Sequence, residues 1–274
     1  MTSLPLFSAN YGVGENILQR FKTWFRAYSR SFHGVNAELD YAADLKIAHT
    51  EKVQEIITRL AKSLGLEARL CRLAESCALF HDVGRFPQFK CYGTFSDNIT
   101  ENHALLSCKV LENHKILGSL DEINSATIYQ SVKNHNLAEL PEDSADEVTL
   151  FFTRLLRDAD KIDVLRVVSE HYAENNGNGK GLIVLDLPDS ETVSPEVLEA
   201  VKNKAVIRYE MLKTVNDFKL LQLSWIYDLN FHCSLEMLSD CGYCDVIIKT
   251  LPENENLSEI KENLSQCLSE NILV

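Results

Sequence analysis

The chain has 274 residues, 45% hydrophobic and 24% charged, which is ordinary globular usage and excludes a disordered protein. Forty acidic residues against 27 basic ones leave a net charge of −13, which excludes a protein whose main task is coating polymeric nucleic acid. The first residues lack the basic and apolar regions of a signal peptide, and no run reaches the eighteen or so apolar residues of a membrane span. Eight cysteines then read as reduced thiols of a cytoplasmic protein with no membrane partner.

Helical periodicity runs from the start to about residue 175. Leu18, Phe21, Trp24 and Phe25 follow the spacing of an amphipathic helix. The next helix carries Val53, Ile56, Ile57, Leu60, Ala61 and Leu64 on one stripe and stops at Gly65, as a C′ glycine would have it. A third spans about 66–81 with Leu70, Leu73, Ala74 and Cys77 inward. A loop is expected over 86–100, followed by helices near 103–112, 122–134 and 147–172. Glycines, asparagines and prolines mark a long loop over 173–196, and helices resume around 195–211, 217–229 and 257–268. Alternating β patterns are scarce, so the expected fold is all-α. Residues 1–175 are expected to form one helical core, and 176–274 a helical extension packed on it, not an independent domain. Trp225, Ile226, Leu229 and Phe231 read as core of that extension.

Two local words carry little. GNGKG at 177–181 lacks the GxxxxGK[ST] spacing and a preceding strand, so it reads as a turn. Cys241 and Cys244 form a CxxC with no second ligand pair to complete a zinc site.

The informative feature is what the helices turn inward. His49 stands four residues before Val53, and His81 four after Cys77. His103 stands three before Leu106, His135 three after Val132, and Asp160 four after Leu156. Residues three, four or seven apart share a helix face, so five polar side chains on five helices point toward the core. Burying each without a partner would cost a few kcal/mol, roughly 1–3 on mutational scales. Imidazole with carboxylate is the ligand set of a borderline transition metal, and Asp82, beside His81, adds a second carboxylate.

The order His49 … His81-Asp82 … Asp160 resembles the pattern of the HD superfamily of metal-dependent phosphohydrolases. FHDVGRF is similar to the family's HD-hydrophobic-Gly-basic string, and RDADKIDVLR to its Ala-Asp motif. YGTFSDNITENHA and VKNHN resemble a bacterial subgroup of these hydrolases. The resemblance spans about 45–170 and implies an HD-type helical bundle. It implies His49, His81, Asp82 and Asp160 as ligands of one metal, with Asp158 and Asp163 at the surface or supporting the ligands. Members with two metals add histidines between the doublet and the last Asp, where His103 and His135 stand, and their doublet Asp bridges the ions. Here a single His stands in NHN where several such members have a pair, so one ion or two are both open.

The implied cofactor is a divalent transition metal (Mn, Ni, Co, Fe or Zn), which activates water for attack on a phosphoester. The expected substrate is a small phosphorylated molecule, a nucleotide in particular, with Asp82 and Arg85 in catalytic roles. Arg85, three residues after Asp82, takes the place of the family's lysine and can bind phosphate in bidentate fashion. Lys161 and Lys133 are further substrate-binding candidates, and Lys90 a weaker one. His33, His114, His171 and His232 lie outside the motif. Two alternatives share the scaffold: a metal- or nucleotide-binding regulatory protein without turnover, and a di-iron oxygenase, which would need both His103 and His135. An oligomer is compatible with each.

Overall fold

A computed structural model of the chain describes residues 7–141, 146–174, 187–253 and 255–269. The described residues form helices and connecting turns, with no strand among them. The chain divides into two compact units, Thr2–Asp160 and Lys161–Val274.

The first unit begins with α1 (Glu15–Arg30), α2 (Ala37–Ser63) and α3 (Ala68–Phe80). Short α4 (Arg85–Tyr92), α5 (His103–His114) and α6 (Glu122–Asn134) follow. Helix α7 (Glu147–Glu174) gives residues 147–160 to this unit and 161–174 to the next. The starts are chemically marked. Asn36 caps α2 by accepting from Leu39 N at 2.8 Å, Asn102 caps α5 through Ala104 N and Leu105 N, and Asp121 caps α6 through Asn124 N at 2.9 Å. Gly65, at φ +74°, ends α2. Helix α3 is central: it packs on α1, α2 and α6, and α5 packs on both α4 and α6. The stripe Val53, Ile56, Ile57, Leu60 and Ala61 is buried, together with Phe21, Leu73, Phe80, Ile128, Phe152 and Leu156.

The structure differs from the periodicity reading over 86–100, where a loop is expected. Helix α4 occupies the first part of that stretch. Pro87 sits in its first turn, where a missing N–H loses no helical partner, and Gly93 at φ +68° closes it.

The second unit continues with α8 (Pro195–Lys202), α9 (Val215–Ser224), α10 (His232–Cys241), α11 (Tyr243–Lys249) and α12 (Glu255–Ser269). The single helix expected over 195–211 is broken: Lys204 at φ +53° interrupts it, and only a 3-10 turn at Tyr209–Met211 follows. Helix α9 likewise tightens into a 3-10 turn at Trp225–Asp228. Ile226, Leu229 and Phe231 are buried. Helices α10 and α11 were not legible from periodicity. They divide the CxxC, leaving Cys241 exposed and Cys244 buried on either side of Gly242. No disulfide joins the described cysteines. GNGKG lies outside the described residues. Among the described residues no helix is long and apolar enough to cross a membrane.

Candidate metal centre

The centre is built on the turn between α3 and α4. His81 and Asp82 occupy that turn, and Gly84 lets it lie directly on α5. A β-carbon at Gly84 would stand 2.4 Å from Ser107 N and 2.5 Å from His103 O. Ser107 Oγ accepts from Gly84 N at 2.8 Å and donates to His81 O at 2.7 Å, so the turn and α5 are stitched together. From the far side, Arg157 on α7 donates to the carbonyls of His135 (3.0 Å) and Leu137, fixing the end of α6.

Six side chains converge there. His49, His81, His103 and His135 are buried, Asp82 is 3% exposed, and the Asp160 carboxylate is 25% exposed. His49 Nε2 lies 3.2 Å from His81 Nε2, 3.1 Å from Asp160 Oδ1 and 3.6 Å from Asp82 Oδ2. His103 Nε2 lies 3.1 Å from His135 Nε2 and 3.5 Å from Asp82 Oδ1. Asp82 thus turns one oxygen toward the His49–His81 pair and the other toward His103. Three ligand sets, His49/His81/Asp82, His81/His135/Asp160 and Asp82/His103/His135, each have their donor atoms within 4.8 Å of one another.

The outer nitrogens explain the orientation. His81 Nδ1 and His135 Nδ1 donate to the carbonyls of Ala78 and Val132, both at 2.7 Å, and His103 Nδ1 donates to the Asp97 carboxylate. A ring that donates from Nδ1 presents a lone pair at Nε2. The His103 and His135 lone pairs face one another at 3.1 Å, an arrangement that repels unless a cation lies between. The donor set, imidazole nitrogens and carboxylate oxygens, fits a divalent transition metal.

Electrostatics follow burial and charge. Burial pushes the Asp82 pKa up, but Lys46, His81, Arg85 and His103 together hold it well below the carboxylate range. Asp160 is opposed by burial in the same way and held low by His49 and His81. Asp97 is penalised by burial and still lowered by His103, Arg85 and Gln88. Burial, then Arg85, lowers His103; burial, His103 and His81 push His135 down to about 3.

The other sequence candidates fall in different places. Arg85 is 15% exposed at the centre: Nη1 donates to Phe95 O, Asp97 and Gln88, while Nε is 3.5 Å from Asp82 Oδ1. Lys133 is not brought to the cluster. It is exposed on α6, and its charge is felt at Cys108. Lys90 is exposed, 5.7 Å from the Phe32 ring centroid. Lys161 belongs to the second unit, where it pairs with the Asp228 carboxylate and donates to Asp228 O at 2.9 Å. The surface reading of Asp158 and Asp163 is overturned: both are buried, and Asp163 accepts from Arg166 at 2.7 Å. His33 pairs with Asp44, His114 packs on Trp24 and Tyr28, His171 on Tyr172, and His232 pairs with Glu236.

Three contributors escaped the sequence reading. Lys46 reaches Asp82 Oδ2 at 2.8 Å, and its position three residues before His49 was the available signal. Asp97 and Gln88 hold His103 and Arg85, with Gln88 Nε2 2.8 Å from Asp97 Oδ1. Neither lies in a periodic pattern with the ligands.

Residues 47–171 match the family model described as HD domain. This segment, 125 of the 274 residues, is similar to the HD domain. An HD domain suggests a metal-dependent hydrolase in kind. No curated protein and no solved structure matches the chain. All six converging ligand candidates fall within the HD domain's limits.

Proposed function

We propose that this protein hydrolyses a phosphoester of a small molecule, with a nucleotide as the favoured substrate. The observation that carries the reading is the inward convergence of four imidazole Nε2 atoms on two carboxylates, with three outer nitrogens tied back to acceptors. We assign His49, His81, Asp82 and Asp160 to a first divalent ion, and His103 and His135, with Asp82 shared, to a second. The catalytic region is residues 1–175, with 176–274 as a helical extension, in a cytoplasmic protein.

A bound divalent cation would supply Lewis acidity, lowering the pKa of water and neutralising charge that develops on phosphoryl oxygens. The chain's own residues do the rest. Asp82, with one oxygen toward each histidine pair, sets the spacing of the site. Asp97 keeps the His103 proton on Nδ1, so that Nε2 stays a ligand atom. Arg85, whose Nε makes no hydrogen bond and lies 3.5 Å from Asp82 Oδ1, is the candidate to bind a substrate phosphate.

The test is elemental analysis of the purified chain together with a nucleotide and phosphoester panel, with His81→Ala and Asp82→Ala as controls. Turnover with Mn²⁺, Co²⁺ or Ni²⁺ that both substitutions abolish is expected. A protein that retains no metal and turns over nothing with these ions refutes the reading. Iron with oxygen-dependent turnover points to the oxygenase alternative instead.

A further inference from the structure

Lys46 lies on α2, one residue before the segment that matches the HD family. Its side chain is 16% exposed, and Asp82 Oδ2, at 2.8 Å, is its one hydrogen-bond partner among the described residues. An ammonium carries three donors, so two remain for other acceptors. Across the same carboxylate, Arg85 Nε faces Asp82 Oδ1 at 3.5 Å. Asp82 therefore has one cation beside each oxygen, and both cations lie against one ring. Lys46 Nζ is 5.2 Å and Arg85 Cζ 5.9 Å from the centroid of Phe95.

Behind this pair lie the buried side chains of Leu39, Ala42, Ala43, Phe86 and Phe89, packed with no room for a water molecule. Those side chains carry no charge and no donor. One phosphate at the pair would meet two cations, which favours the doubly charged monoester over the singly charged diester. The organic part would meet the half-buried Phe95 ring.

We propose that Lys46 is a substrate-binding residue which, with Arg85, anchors the phosphate of a phosphomonoester whose apolar or planar group lies against Phe95. The inference rests on the hydrolase reading above and narrows its substrate class.

The full chain loaded with manganese is assayed on a nucleoside 5′-monophosphate, the matching triphosphate, p-nitrophenyl phosphate and bis-p-nitrophenyl phosphate. The monoesters are expected to have the highest kcat/KM. Lys46→Met raises their KM by about tenfold, the loss of one charge-assisted hydrogen bond, while kcat and metal content stay near wild type. Lys46→Arg recovers part of the loss and shows that the fold tolerates change at the position. Phe95→Ala raises KM for the aryl ester and leaves glycerol phosphate unaffected. Loss of metal from Lys46→Met in step with activity overturns the assignment, because the lysine would then only steady Asp82. Preference for the diester or the triphosphate overturns the substrate class. If no ester is turned over, the hydrolase reading fails by itself, and calorimetric titration with inorganic phosphate still decides the role of Lys46. Binding about tenfold weaker in Lys46→Met supports it, and equal binding removes it.

Discussion

Gly84→Ala is the sharpest test of how the centre is assembled. Gly84 has an ordinary φ of −71°, so the substitution is not opposed by backbone conformation. It is opposed by space: the new methyl would stand 2.4 Å from Ser107 N, 2.5 Å from His103 O and 2.7 Å from the Leu106 carbonyl carbon. All three are backbone atoms of α5, which cannot rotate away as a side-chain tip can. Restoring a contact of about 3.4 Å requires α5 to retreat by roughly 1 Å, the difference from the 2.4 Å approach. That retreat stretches the Gly84 N–Ser107 Oγ and Ser107 Oγ–His81 O bonds, now 2.8 and 2.7 Å. Overpacking of this kind costs about 1–3 kcal/mol, and two weakened buried hydrogen bonds add about 1 kcal/mol each. The helix that moves carries His103, so a displacement of about 1 Å also lowers turnover by about 10²-fold. Urea unfolding measures the first effect, and steady-state kinetics with chelator competition measure the second. A variant with wild-type midpoint, metal affinity and turnover would refute the packing argument.

Other outcomes follow from individual contacts. Asp97→Asn removes the carboxylate that accepts from His103 Nδ1 and pairs with Arg85, and metal affinity is expected to fall about 10–100-fold in chelator competition. Asp217 in the second unit is fully buried and accepts from Ser194 N, Ser194 Oγ, Lys213 N and Thr214 N. Asp217→Ala should therefore cost about 2–4 kcal/mol in denaturant unfolding. Lys219 is 3% exposed beside the Tyr172 ring, and burial lowers its pKa to about 8. Because the unfolded chain holds that proton up to the ordinary lysine value, stability should rise as pH increases from about 8 toward 10.4, by about 3 kcal/mol in all. Lys219→Met should flatten that rise, and an unchanged pH profile would exclude the buried lysine as its source.

The sequence by itself determined the all-α class and the inward ligand candidates, because helical spacing is a local property. His49 shares a stripe with Val53 and Ile56, His81 with Cys77, and Asp160 with Leu156, and no knowledge of neighbouring helices is needed to see it. Local patterns failed where the punctuation was ambiguous. Pro87 reads as a breaker yet sits in a first turn, and the short helices α10 and α11 offer too few residues for a period to show. Only the tertiary structure decided which charges attend the centre. Lys133 and Lys46 are both lysines on helices that carry or end at candidate ligand histidines, but one faces outward and the other lies against Asp82. Asp97 reaches His103 from a turn that no periodicity describes. Direction across a helix is written in the spacing of its own residues, whereas partnership between helices depends on how separate segments pack, and Gly84 is where that packing brings His81, Asp82 and His103 together.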